Sequence, residues 1–185
     1  MAYVPRADVV GLVFEAASRN DRVKVLLAHQ NEILDDCDQA LAVDLHSHVK
    51  GQVPLIRQAV ASYRSGHVAA SQALSVVVCD TLIRANVASK HTTAKTTAAG
   101  ADLKLAIMAD ILRMELALAP VVKLLTDWSP ESGKPEPKEL SRHVTIHHAT
   151  DAHLREDNAL IALMLATSLI RGLSEMHEWF DAQGS

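Results

Sequence analysis

Aromatic side chains are almost missing: two Trp, two Tyr and two Phe, 3% of 185 residues. A core must therefore be built from Ala, Val, Leu and Ile, and little is left for reading RNA bases by stacking. Cysteine is scarce too. Cys37 and Cys79 form no CxxC pair, and Cys79 follows three valines, which reads as a buried thiol rather than a ligand. Residues 1–13 lack the apolar stretch of a signal peptide. The longest uncharged apolar run, residues 159–170, stops at Arg171, short of the roughly 18–20 residues a bilayer requires. These absences predict a reduced, cytoplasmic protein with no membrane segment. Positive charge is not in excess either. Eighteen basic against 22 acidic side chains give a net charge of −4, which excludes a protein held to nucleic acid by bulk charge and leaves only a local basic patch.

What is present is helical period. Apolar residues make up 49% and charged residues 22%, a globular balance for a chain of one-domain size. The stripes predict helices over residues 8–19, 21–44, 53–66, 67–87, 101–128 (bent at Pro120), 138–149 and 157–180. Residues 89–100 hold four threonines and no large apolar side chain, and read as an exposed loop. With its flanks that stretch is locally basic through Lys90, Lys95 and Lys104. No strand pattern occurs. The fold class is all-α, an up-and-down helical bundle.

Ten histidines stand out in this mildly acidic chain, and four of them, His143, His147, His148 and His153, crowd behind Arg142. Three chemistries compete for that stretch. His143 and His147, four apart, share a helix face that suits two metal ligands, but the Glu of HExxH is missing and no Glu-x-x-His pairs recur, so neither metal nor cofactor is expected. Alternatively, an imidazole that titrates near neutrality, beside a guanidinium that grips phosphate, is sufficient for metal-free RNA cleavage with the 2′-hydroxyl as nucleophile. Five residues of ideal helix rotate by roughly 140°, so Arg142 meets His147 only if it sits in the first turn and reaches around, or if a two-fold axis pairs two copies. The third reading is a surface helix that packs through Val144 and Ile146. His29, His46, His48, His67, His91 and His177 read as solvated or incidental; two residues apart, His46 and His48 would point to different sides of a helix.

The stretch Arg142 to His147 resembles the R-x4-6-H motif of HEPN (higher eukaryotes and prokaryotes nucleotide-binding) domains, with His143 in the polar position after the Arg. Ala59-x3-Tyr63-x2-Gly66 is similar to a pattern of the early helices of that fold, and the apolar helix around residues 159–167 resembles its closing helix. The resemblance covers residues 51–180. It leaves residues 1–50 as an N-terminal helical extension packed on the bundle and makes 51–185 a HEPN-like domain. It implies a homodimer whose motifs face each other, and a metal-independent endoribonuclease of a toxin or anti-phage system with an antitoxin or defence partner. Arg142 would contact the scissile phosphate, and His147 or His148 would be the acid or base. Lys90, Lys95 and Lys104 would guide the RNA. The alternative within the same resemblance is a catalytically silent module that binds a partner protein or nucleotide, for which the apolar stripe Leu103, Ile107, Ile111, Met114 and Leu118 offers a surface. The chain departs from the R-x4-6-H-x3-Y form: position 151 is Asp, which removes the tyrosine that nucleotidyl-transferase partners act on.

Overall fold

The computed structural model describes residues 3–99 and 116–183, and among these there is no strand. The helices are α1 (Ala7–Glu15), α2 (Arg19–Ala28), α3 (Gln30–Ala40), α4 (Ser47–Lys50), α5 (Val53–Arg64), α6 (Val68–Asn86), α7 (His91–Ala99), α8 (Val121–Leu124), α9 (Arg142–His147) and α10 (Glu156–Gln183), with a 3-10 turn at Pro130–Ser132.

Helix α10 is the axis of the bundle. Leu160, Leu163, Met164, Leu165 and Leu169 are fully buried, against Leu82 and Ile83 of α6, Ile56 of α5, and Ile33 and Leu34 of α3 in one continuous core. Each such side chain contributes roughly 1.5–3 kcal/mol of burial. Tyr63 is the one aromatic residue of that core among the described residues, and its hydroxyl donates to Gln30 Oε1 at 2.9 Å. The aliphatic core follows from the composition. Val4, Val9, Cys37, Leu45 and Val49 belong to the same cluster, so the first fifty residues share the core of the remainder. Within that segment, Arg6 Nη2 donates to Asp36 Oδ1 at 2.7 Å and ties the start of the chain to α3.

Small residues run along the contact of α6 with α10: Ser71 and Ser75 on one helix, Ala162, Ala166 and Ser168 on the other are fully buried. By length and composition both helices could cross a membrane, α10 continuing past Arg171; 78% of its apolar window is buried inside the bundle.

Local chemistry sets the ends. Helix α5 closes on a Schellman turn, with Gly66 at φ +79, Gly66 N–H donating to Tyr63 O at 2.9 Å and His67 N–H to Ser62 O at 2.8 Å. Three elements differ from the periodicity reading. The stretch 21–44 is two helices, because His29 leaves helical geometry at φ −107, ψ 21 and serves as the end of α2 and the start of α3. Residues 91–99, read as a loop, form α7. Ala94 is fully buried there and His91 is ion-paired to α6, so tertiary anchoring overrides the low propensity of threonine. The helix expected over 138–149 is confined to the six residues of α9, which Ser141 caps by accepting from Val144 N–H. Of the stripe Leu103 to Leu118, only Leu118 is described, and it is buried; the rest, like Lys104, lies outside the described residues.

Candidate functional site around Arg142

Arg142 is the first residue of α9, the position from which a long side chain can reach around the helix end. It does so. Its Nη1 lies 3.5 Å from His147 Nε2, overcoming the five-residue offset. Its Nε donates to Asp80 Oδ1 on α6 at 2.8 Å. The same carboxylate oxygen accepts from His91 Nε2 at the start of α7, and Arg84 Nε donates to Asp80 Oδ2 at 3.0 Å. Asp80 is therefore a hub for two guanidinium groups and an imidazole, drawn from three helices. Side-chain exposure is 13% for Arg142 and 16% for Asp80, so the guanidinium is fixed before any ligand arrives, while His147 is exposed.

The electrostatics follow from this placement. Burial disfavours a charged Asp80, but hydrogen bonds from Arg142 and His91 and the charges of both outweigh it and hold the carboxyl below its ordinary range. Desolvation, followed by the positive fields of Arg142, His143 and His148, pushes His147 below the ordinary imidazole range, with Asp80 opposing. A neutral His147 whose Nε2 lone pair faces a guanidinium N–H is a base poised beside a phosphate-binding group.

The other histidines of the stretch form a ring cluster. His143 stacks on His148 with centroids 5.3 Å apart and lies 5.1 Å from His147. Its Nδ1 is 3.6 Å from Asp127. His148 ends α9 and meets the edge of Trp128 at 5.7 Å. Of the two candidate imidazoles, His147 is the one set against Arg142. His153 is a fully buried latch: its Nε2 accepts from Ser141 N–H and its Nδ1 donates to Pro137 O, which fixes the loop that delivers α9.

Comparison with protein-family models, with curated proteins and with solved structures yields no match.

Lys90 is exposed and immediately precedes His91. Lys95 lies four residues after His91, on the same face of α7, so two of the three lysines flank the helix end that meets Asp80. Sequence reasoning passed over Asp80, took His91 as incidental, and counted Arg84 only as part of the basic flank of residues 89–100. Asp80 did leave a signal: it is the lone acid of α6, placed in an otherwise apolar run, and a carboxylate there needs a partner. His91, read as incidental, is one of those partners, and neither its spacing nor its neighbours announce it. His46, His48 and His177 are not solvated singletons either; they form a second cluster.

Proposed function

We propose that the chain is a metal-independent endoribonuclease of HEPN type, cytoplasmic and dimeric, acting as a toxin or anti-phage effector. The observation that supports this reading is the convergence of Arg142 and His147 at 3.5 Å on a six-residue helix, with Arg142 oriented by Asp80. Arg142 binds a non-bridging oxygen of the scissile phosphate through its Nη groups, since its Nε is already engaged. His147 Nε2 takes the proton of the RNA 2′-hydroxyl. The 2′-oxygen then forms a bond to phosphorus as the bond to the 5′-oxygen breaks, and the leaving oxygen is protonated by an imidazolium of a second copy across the two-fold. The products are a 2′,3′-cyclic phosphate and a 5′-hydroxyl. Lys90 and Lys95 contact the RNA backbone beside the site.

The test is incubation of the purified chain with total RNA in EDTA, alongside Arg142→Ala and His147→Ala. Cleavage that persists in EDTA and falls by about 10²–10⁴-fold in His147→Ala is the expected result. Activity surviving both substitutions, or abolished by EDTA, overturns the mechanism. The second reading, a silent HEPN-like module that binds a partner protein or nucleotide, is favoured by one observation: Asp80 already neutralises Arg142. Under it, RNA stays intact and a protein or nucleotide copurifies with the chain.

A further inference from the structure

The second histidine cluster lies at the end of α10, away from the residues of the first. His46 precedes α4, His48 is within it, and His177 comes from the last turns of α10. On an uninterrupted helix the first two rings would diverge. Here His46 is the N-cap, with extended geometry at φ −57, ψ 143, and the two rings turn towards each other with centroids 4.9 Å apart. His177 stacks on His46 at 5.0 Å and meets His48 edge-on at 4.5 Å. One nitrogen from each of the three rings falls within 4.8 Å of the others.

Two of the rings, His46 and His177, are held by a hydrogen bond at the far side. His177 Nε2 donates to Asn86 Oδ1 of α6 at 2.8 Å, which leaves the Nδ1 lone pair facing His48, whose Nδ1 shares a hydrogen bond with it that a metal would displace. The two Nδ1 atoms lie 3.2 Å apart. Two imidazole nitrogens bound to one tetrahedral Zn²⁺ at about 2.0–2.1 Å are necessarily about 3.3–3.4 Å apart, so the pair is at ligand spacing. His46 Nε2 donates to Asp181 Oδ2 at 3.0 Å, so the lone pair of that ring is on Nδ1, where it takes a long contact of 3.3 Å from His48 N–H.

We infer that His46, His48 and His177 bind a zinc-class divalent cation, with Asp181 positioning the His46 ring as Asn86 positions the His177 ring. Three imidazoles, with a water completing the tetrahedron, are a donor set of zinc-class cations. The Asn86 contact is the outer-shell bond that ligating histidines carry. The site pins α4 to the end of α10 and to α6, whatever chemistry proceeds at Arg142.

Equilibrium dialysis of the full chain against Zn²⁺, with bound metal measured by mass spectrometry, tests this. One tightly held equivalent is expected, together with a rise in melting temperature. Co²⁺ in its place should show the intense visible bands of tetrahedral coordination. His48→Ala, at an exposed position, should lose the equivalent while melting as the metal-free parent does. Asn86→Ala should weaken binding roughly 10–100-fold. A variant lacking His143, His147 and His148 should keep the metal. No retained equivalent, or an equivalent kept by His48→Ala and lost by the triple variant, overturns the assignment.

Discussion

Asp80 decides more than any other single side chain. It joins Arg142, His91 and Arg84, and removing it leaves a mostly buried guanidinium unpaired. Asp80→Ala should cost roughly 2–3 kcal/mol by urea unfolding, somewhat under the full buried-pair penalty because some solvent contact remains. The pH dependence has a definite sign. A carboxyl held below its ordinary value of 3.8 resists protonation in the folded state while the unfolded chain takes up the proton. Its contribution is complete above that value and lost as pH falls through the lowered one, so parent and Asp80→Asn should converge in stability at strongly acidic pH. His147 has the same direction of shift. If it is the base, the acid limb of the cleavage profile should fall below pH 6.5, the ordinary imidazole value, and disappear in His147→Gln. The Arg142–His147 pair was legible because both residues lie in one short motif. Its orienting partner was not, since Asp80 is 62 residues away and only folding brings it near.

Helices were legible where a stripe met a recognisable end. Gly66 announced the end of α5, and its positive φ makes Gly66→Ala a destabilising change of about 1 kcal/mol, measurable as a lower melting temperature. Helix α7 was illegible because threonine and alanine carry no stripe; what anchors it, the burial of Ala94 and the contact of His91 with Asp80, depends on other helices. The split at His29 has no proline or glycine to mark it. The α6–α10 contact permits a sharper test. Ser71, Ser75 and Ser168 bury hydroxyls that find no hydrogen-bond partner. An unpartnered buried hydroxyl is a cost, so Ser75→Ala should leave stability unchanged or raise it by up to about 1 kcal/mol, whereas Leu163→Ala should lose roughly 2–5 kcal/mol.

At the scale of the whole molecule, both cysteines are free and buried. Desolvation pushes the Cys37 thiol up to about 12 and raises Cys79 as well, so thiol reagents should label neither in the native protein and both after unfolding. The all-helical class and the aliphatic core could be read from composition and period alone. The pairing of distant elements could not: His48 and His177 are 129 residues apart, and no local pattern encodes their meeting.

Helix α6 carries both Asp80 and Asn86, the residues that receive Arg142 and His177. They lie six residues apart on one rod, about 9 Å along its axis. The two imidazole groups therefore share a common mechanical reference. In a proton–nitrogen correlation spectrum, the His177 ring resonances should move when Asp80 is replaced, although no bond joins them, and the His147 resonances should move when Asn86 is replaced. The rod makes each cluster a reporter on the other.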